Sequence, residues 1–310
     1  MGQGLKPPRP LHWNLVHAIV AGAYRSDAAS VQDAVAVAEV AGRKGSTLLV
    51  AVADGAGSAS HGQAGARLAV TTALAAMRKR VQRPGRQLSV RTVLDADGMA
   101  HVLADVQRAI AELAAAHDPR EYATTLLLAA ADADATACAQ VGDGALVVRE
   151  GAAWRAVFWP DQGEYLNTTR FVTESDPGLR TAVLEPVDAL AALTDGLQGL
   201  ALDYAARAPH PPFFDGFFAE LAHTDGAMLA EPLHAFLAGA GVRGRTDDDL
   251  ALVLALRRSP SCRRIPAATP SNSLPKSGAA AKAASTTWSA GPAPSRKSMR
   301  TRRGPTRSRS

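Results

Sequence analysis

Four short acidic motifs are spread over most of this chain, and together they could bind metal ions. Each places a carboxylate at or beside the end of an apolar run. The motifs are Gln32-Asp33, Asp54-Gly55-Ala56-Gly57-Ser58, Thr194-Asp195-Gly196 and Asp247-Asp248-Asp249. Oxygen ligands of this kind suit hard divalent cations such as Mg²⁺ and Mn²⁺. A fold that brings the motifs together would therefore support metal-assisted chemistry on a phosphate.

The two Asp-Gly pairs, at 54–55 and 195–196, are the sharpest of these signals. Glycine after a strand-end carboxylate lets the backbone turn tightly, so that both the carboxylate and the next carbonyl can face a cation. Asp-Gly is also a common turn dipeptide, and each pair taken alone is compatible with a simple turn. Asp132 and Asp134 lie between two apolar runs and are predicted to be hairpin turn residues.

Apolar periodicity predicts the elements that position these motifs. Short apolar runs bounded by Gly or Asp predict strands, and i, i+3, i+4 spacing predicts helices. Predicted strands cover 31–40, 46–54, 123–130, 135–141, 145–149, 154–158, 190–193 and 250–256, and predicted helices cover 62–81, 100–116 and most of 213–237. This order of elements indicates an α+β fold with strands and helices in separate layers.

In their order and surroundings the motifs resemble the metal-dependent serine/threonine protein phosphatases of the protein phosphatase 2C family. Other matching pieces are Ala123-Thr124-Thr125-Leu126, Val141-Gly142-Asp143-Gly144 and Asp248-Asp249-Leu250-Ala251-Leu252-Val253. Two further segments resemble a bacterial branch of the family, namely 163–171 and Pro212-Phe213-Phe214. The resemblance covers about residues 13–258.

The resemblance implies a two-layered antiparallel β-sandwich flanked by helices. It also divides the chain into an N-terminal extension (1–12), a catalytic domain (13–258) and a tail (259–310). Its implied metal ligands are Asp54, which would bridge two ions, the Gly55 carbonyl, Asp195 and Asp248 at the first ion, Asp33 near the second, and Asp143, which with Asp195 would hold a weaker third ion.

The activity implied is hydrolysis of phosphoserine and phosphothreonine by a water that two Mg²⁺ or Mn²⁺ ions activate. Asp54 and Asp195 are then the expected catalytic residues. The implied partners are a phosphorylated protein and a serine/threonine kinase or its targets. His61 is a candidate general acid, with an exposed loop histidine as the alternative.

Three departures from the family pattern leave alternatives open. Gln32 stands where many members have Glu, which favours a second hypothesis: a catalytically weak, phosphoprotein-binding regulator that opposes or senses a kinase. Arg25 lies upstream of Gln32 and is either the clamp for the substrate phosphate or a solvated surface charge. In the Asp triplet Asp248 is the expected ligand, with Asp247 as the fallback.

Charge separates the body of the chain from its end. The whole chain of 310 residues carries a net charge of +5, but residues 259–310 hold eleven Lys or Arg and no Asp or Glu, so residues 1–258 carry −6. This Ser-, Pro- and Ala-rich tail is predicted to be disordered, and a third hypothesis gives it weak nucleic-acid binding. Two cysteines and no long apolar run favour a cytoplasmic protein without a membrane partner.

Overall fold

A computed structural model describes residues 12–23, 31–42, 45–83, 86–115, 117–159 and 169–258. Two five-stranded antiparallel sheets form its centre. The strands are β1 His12–Val20, β2 Asp33–Val40, β3 Thr47–Asp54, β4 Gln82–Arg83, β5 Arg86–Gln87, β6 Leu126–Ala131, β7 Thr136–Val141, β8 Ala145–Glu150, β9 Ala153–Ala156, β10 Arg180–Leu184, β11 Ala189–Leu193, β12 Leu202–Asp203, β13 Ala208–Pro209 and β14 Leu250–Arg258. The first sheet has the order β1-β14-β11-β8-β9, and the second has the order β10-β7-β6-β3-β2.

Helices cover the outer face of each sheet. They are α1 Gly62–Val81, α2 Val90–Val93, α3 Ala96–Ala114, α4 Gln198–Ala201, α5 Pro211–His223, α6 Gly226–Ala238 and α7 Ala240–Arg243. Short 3-10 turns occupy Pro119–Tyr122 and Asp195–Leu197. Helices α1 and α3 pack on the second sheet, whereas α5 and α6 pack on the first. Every helix in the described ranges is too short or too polar to span a lipid bilayer.

Successive side chains along a strand point to opposite faces of the sheet and pack in different hydrophobic cores. In β3, Leu48, Val50 and Val52 pack between the two sheets. Leu49, Ala51 and Ala53 point the other way, toward α1 and α3. Because both faces of the strand are covered, β3 reads as a continuous apolar run instead of an alternating one. The small residues of α1 on its buried face, including Ala66, Ala69 and Ala73, let that helix lie close to the sheet.

The layered α+β fold and the β-sandwich flanked by helices are confirmed. The predicted helix at 62–81 coincides with α1, and the long helical stretch is divided in two because Asp225 caps a new helix by accepting a hydrogen bond from the Ala227 amide. The strand predicted from 123 begins only at Leu126, since the preceding residues bond to the Asp54 motif. Strands β1 and β10 were not predicted. Residues 1–11 of the predicted extension 1–12, most of segment 163–171 and the tail 259–310 lie outside the described residues.

Candidate metal centre

Strand register brings the acidic motifs to one end of the sandwich. Asp33 opens β2 and pairs directly with Asp54, the last residue of β3. β7 pairs Val141 with Leu126 at the same end of the second sheet, and Asp143 follows two residues later. In the first sheet Leu193 of β11 pairs with Ala145 and Leu252. Asp195 follows β11 and Asp248 precedes β14. Five carboxylates from five different chain segments therefore lie at the same end of the sandwich.

The glycines that follow Asp54 and Asp195 are required by close backbone approach. A Cβ atom on Gly55 would lie 2.4 Å from the Gly62 carbonyl carbon, at the start of α1. A Cβ atom on Gly196 would lie 2.3 Å from the Asp249 carbonyl oxygen. Both distances are below any real contact, so a side chain there would force the backbone apart. Each Asp-Gly pair therefore joins two segments of the site, which a plain turn would not do.

Burial and mutual repulsion shift the pKa values of these carboxyls upward. The pKa of Asp54 rises to about 10, first because the group is buried and then because Asp33, Asp195, Asp248 and Asp143 add negative charge around it. The pKa of Asp195 rises to about 6, mainly through burial and then through Asp143 and Asp248, while a hydrogen bond with Asp54 offsets part of the rise. Burial also raises the pKa of Asp33 well above its ordinary value. Clusters of perturbed acids of this kind are typical of functional sites.

Two oxygens of this cluster fit a cation because they are buried without a protein donor. Oδ1 of Asp33 and Oδ1 of Asp195 have no hydrogen-bond partner among the residues that the structure describes. An unpaired buried acceptor is costly, and a divalent cation would satisfy it and relieve the repulsion as well. Across the ranges that the structure covers, no three acidic, His or Cys side chains already converge as a complete cation cage. Metal binding would therefore draw these carboxylates closer together, and their assignment as ligands stays a prediction.

Thr194 links the two sheets at this end. Its hydroxyl accepts a 2.9 Å hydrogen bond from the Ala251 amide and donates a 2.8 Å bond to Oδ2 of Asp33. The amide can only donate, so the single hydroxyl proton must point to Asp33. This leaves Oδ1 of Asp33 as its open oxygen. The sequence showed Thr194 only as part of a Thr-Asp-Gly motif and did not reveal this role.

The Asp triplet divides into residues with different roles. Asp249 is buried, and its two oxygens accept hydrogen bonds from the Gly22 amide (2.6 Å) and the Gln32 amide (2.8 Å). Asp247 is exposed, and its carbonyl accepts a bond from the Ala23 amide. Asp248 is exposed and contributes to the raised pKa values of Asp33, Asp54 and Asp195. The placement supports Asp248 as the member of the triplet that faces the cluster.

Asp143 is held from both its side chain and its backbone. Its Oδ2 accepts a 2.7 Å hydrogen bond from the Thr169 hydroxyl. Its carbonyl accepts a bond from the Gln198 side-chain amide, and the Tyr204 hydroxyl donates to the Gln198 carbonyl oxygen at 2.5 Å. Burial and then the charges of Asp195 and Asp143 raise the pKa of Tyr204. This network was not visible in the sequence, since the four residues are drawn from four separate segments.

The remaining candidates lie at the edge of the site or outside the described residues. The Gln32 side chain donates a 3.4 Å bond to the Ala56 carbonyl. The His61 ring is exposed, stacks on Tyr122 and lies 3.8 Å from Glu121, which matches the loop-histidine alternative better than a general acid. Arg25 lies outside the described residues, so its role as phosphate clamp stays a prediction.

Comparisons with known proteins agree with this arrangement. A family model described as protein phosphatase 2C matches residues 23–238. Over 216 residues the chain is 42% identical to Serine/threonine-protein phosphatase 3 of Escherichia coli K12, covering 67% of this chain and 83% of that protein.

Two solved structures share the fold at low sequence identity. A serine/threonine phosphatase of S. agalactiae aligns with a TM-score of 0.57 at 16% identity, covering 79% of this chain and 99% of the other. PppA, a regulatory component of the type VI secretion system in Pseudomonas aeruginosa, aligns with a TM-score of 0.54 at 20% identity, covering 80% and 98%. Given the family match over most of its length, the chain belongs to the protein phosphatase 2C family and is a serine/threonine protein phosphatase.

Proposed function

We propose that residues 13–258 form a catalytic domain that hydrolyses phosphoserine and phosphothreonine in proteins at a two-cation Mg²⁺ or Mn²⁺ centre. Protein phosphatase 2C enzymes are metal-dependent as a family; the number of ions and their ligands are the finer part of the proposal. The observation that carries it is the pair of buried, unpaired carboxylate oxygens on Asp33 and Asp195 beside Asp54. Buried acceptors without donors are uncommon in folded proteins, and a bound ion is one of the partners that satisfy them.

The residues divide the work by position. Asp54, at the centre of the cluster, would hold both cations, with the Gly55 carbonyl, Asp195 and Asp248 completing one site and Asp33 facing the other. Asp143 with Asp195 would hold a third ion. When bound, the cations supply Lewis-acid activation of water and neutralise charge on the phosphoryl oxygens. The Asp54 carbonyl is held by the Thr125 amide and the Thr124 hydroxyl, both at 2.8 Å, which keeps the strand end rigid.

The chain's described cysteine does not offer a competing nucleophile. Cys138 lies in the core between the sheets, and burial raises the pKa of its thiol to about 12. The thiolate is the reactive form, so this thiol is inert at neutral pH. Hydrolysis through water rather than through a covalent enzyme intermediate is the chemistry that the site favours.

The substrate is a phosphorylated protein, and we propose a serine/threonine kinase or its targets as the signalling partner. A buried, free Cys138 is in keeping with a cytoplasmic location. The pseudophosphatase alternative rested on Gln32 and on the open role of Arg25. No observation favours it: the carboxylates expected of an active enzyme are gathered at one end of the sandwich. Weak nucleic-acid binding by the tail stays a separate hypothesis about residues outside the described part.

A metal-dependent assay tests the proposal. We expect phosphate release from a phosphothreonine peptide and from p-nitrophenyl phosphate with Mn²⁺, and none after EDTA. Replacing a residue that only orients a metal ligand lowers activity or metal affinity about 10–100-fold. Direct loss of a ligand in Asp54→Asn or Asp195→Asn should therefore lower activity at least about 100-fold. Asp97→Asn, an exposed acid in the first turn of α3, is the matched control and should behave like wild type. Wild-type turnover in Asp54→Asn would contradict the proposed centre.

A further inference from the structure

An open cavity with both polar and apolar lining begins at Gly57, three residues after Asp54, and takes no part in the chemistry described so far. It has a volume of about 520 Å³ and opens to solvent between the loop that precedes α1 and the 3-10 turn Pro119–Tyr122. Its lining residues are Gly57, Ser58, Ala59, Ser60, Asp118, Arg120 and Glu121. Sites that bind a ligand side chain or a small molecule fall in this size range.

The cavity wall is fixed by several independent contacts. The His61 amide donates a 2.8 Å bond to the Glu121 carbonyl, and the Ala56 amide donates a 2.9 Å bond to the Ala123 carbonyl. The His61 ring stacks on Tyr122 at 4.9 Å between ring centroids. Gly65 in α1 lies directly under the Tyr122 backbone, since a Cβ there would be 2.1 Å from its carbonyl oxygen. The two sides of the cavity are thus joined before any ligand arrives.

Each wall of the cavity is only a few residues along the chain from the acidic end of the sandwich. Gly57 is three residues after Asp54, and three residues of chain span at most about 11 Å. On the other wall, Glu121 is three residues before Thr124, whose hydroxyl bonds to the Asp54 carbonyl. A phosphorylated peptide whose phosphate lies at Asp54 therefore reaches the cavity within about two to four residues in an extended conformation.

The charge of the cavity favours a cation. Arg120 is already engaged: its Nε and Nη2 atoms both donate to Oδ2 of Asp118, at 2.8 and 2.6 Å. Hydrogen bonds from Arg120 also lower the pKa of Asp118, so this pair stays charged and mutually neutralised. Glu121 then supplies the excess charge of the lining. Its Oε2 accepts a 3.1 Å bond from the Ser60 hydroxyl and lies 3.8 Å from Nε2 of His61, and these two neighbours orient the half-exposed carboxylate in the cavity wall.

We propose that this cavity is a substrate-selecting subsite that receives a Lys or Arg side chain two to four residues from the phosphoserine or phosphothreonine, with Glu121 as its anionic contact. The inference rests on the proposed phosphatase function and names the class of phosphoprotein that the same site prefers. Because the contact is partly exposed, the preference is moderate and affects KM more than kcat.

The test compares phosphothreonine peptides that carry Arg, Ala or Glu at one position two to four residues from the phosphate. Wild type should turn over the best Arg peptide with a kcat/KM about three- to fivefold above its Ala counterpart, through a lower KM. In Glu121→Gln this ratio should fall to about one, and Glu121→Lys should favour the Glu peptide instead. Both peptides are measured with the same enzyme preparation. Partial misfolding lowers both kcat/KM values equally and leaves their ratio unchanged. Glu185→Gln, an exposed acid paired with Arg91, is the control and should keep the wild-type ratio.

The outcomes separate the subsite from the catalytic centre. If wild type hydrolyses p-nitrophenyl phosphate but treats Arg, Ala and Glu peptides alike, or keeps its Arg preference in Glu121→Gln, the subsite is overturned and the metal centre is not. A wild-type preference for the Glu peptide overturns it as well. If wild type hydrolyses neither peptides nor p-nitrophenyl phosphate with Mn²⁺, the proposed function fails first.

Discussion

The two ends of the second sheet carry buried aspartates in opposite states of hydrogen bonding. Asp132 follows β6 at the end where Ala131 pairs with Leu48, the start of β3. Its Oδ1 accepts bonds from the Asp134 and Ala135 amides, and its Oδ2 accepts one from the Val90 amide. At the other end of β3, Asp54 stands among acids, and Asp33 has a buried oxygen without a donor.

This difference separates structural from functional acids better than burial does. Asp132 is 8% exposed and Asp33 is 4% exposed, so solvent access alone would group them. What differs is the set of groups around each carboxylate. Backbone amides surround Asp132, whereas other carboxylates surround Asp33. A carboxylate satisfied by amides stabilises the fold, whereas a cluster of unsatisfied ones costs stability that a bound cation or protonation recovers.

Paired substitutions at the two ends should give opposite effects, and these are the largest that we expect. Asp132→Ala leaves three buried amides without an acceptor and should cost on the order of 3 kcal/mol of unfolding free energy. Asp54→Asn replaces a buried carboxyl, which its raised pKa keeps protonated at neutral pH without metal, by a neutral amide of similar size. It should leave the metal-free protein about as stable as wild type, while activity is lost. Chemical denaturation in EDTA, with activity measured in Mn²⁺, reads out both.

The exposed Glu112 of α3 provides the control for this pair, since Glu112→Ala should change stability by no more than about 0.5 kcal/mol. The comparison between the two ends breaks down if Asp54→Asn destabilises the metal-free protein as much as Asp132→Ala does. In that case Asp54 is a structural residue, and its raised pKa has no functional meaning.

Asp248 and Asp249 repeat a weaker form of this contrast between adjacent residues, with a smaller expected effect. Asp249 is buried and accepts two amide bonds, whereas Asp248 is exposed and accepts one, from the Asp249 amide at 2.8 Å. Asp249→Asn turns one of two acceptors into a donor that faces the Gly22 or Gln32 amide, which should cost about 1–3 kcal/mol. Asp248→Asn should leave stability in EDTA close to wild type and weaken Mn²⁺ binding at least about 10-fold. Calorimetric Mn²⁺ titration together with thermal unfolding measures both, and Asp247→Asn should match wild type in each. Equal loss of Mn²⁺ affinity in Asp247→Asn and Asp248→Asn would remove the distinction.

Much of the fold was predictable because its central strands are apolar runs bounded by glycine or aspartate. β3 and β14 are covered on both faces, so their sequences carry a strong local signal. Strand β1 does not, since it includes Asn14, whose side chain bonds to the Leu221 and Thr224 carbonyls and the Gly226 amide more than 200 residues away. A buried polar residue with distant partners interrupts the apolar pattern, and β10 is an edge strand with half-exposed residues that gives little pattern at all.

The site shows the same limit. The carboxylates stood out in the sequence because each lies at or beside the end of a strand and three of them are followed by glycine. The roles of Thr194 and Asp249 did not show in the sequence. They depend on the register that places β11 beside β14 and brings Gly22 and Gln32 near the triplet. Local sequence therefore shows which residues can bind a metal, while the contacts that orient them depend on pairings between distant strands.

The smallest effect that we predict is a pH dependence confined to the acidic end. A carboxyl whose folded-state pKa exceeds its unfolded value binds protons more tightly in the native state. Its contribution to stability is complete below the ordinary pKa of 3.8 and is lost as the pH rises through the folded pKa, about 6 for Asp195 and about 10 for Asp54. The melting temperature of the protein in EDTA should therefore fall between about pH 5 and pH 9. Each kcal/mol lost lowers it by about 2–4 °C.

Saturating Mn²⁺ should flatten this dependence, because cations stabilise the ionised carboxylates that proton loss leaves behind. Asp54→Asn should reduce the slope in EDTA, since it removes the carboxyl whose pKa is raised to about 10. Asp97→Asn, far from the cluster, should keep the wild-type slope and so controls for the general effect of net charge. A melting temperature in EDTA that stays level or rises from pH 5 to pH 9 would show that the acidic end is already satisfied without metal, as Asp132 is at the opposite end.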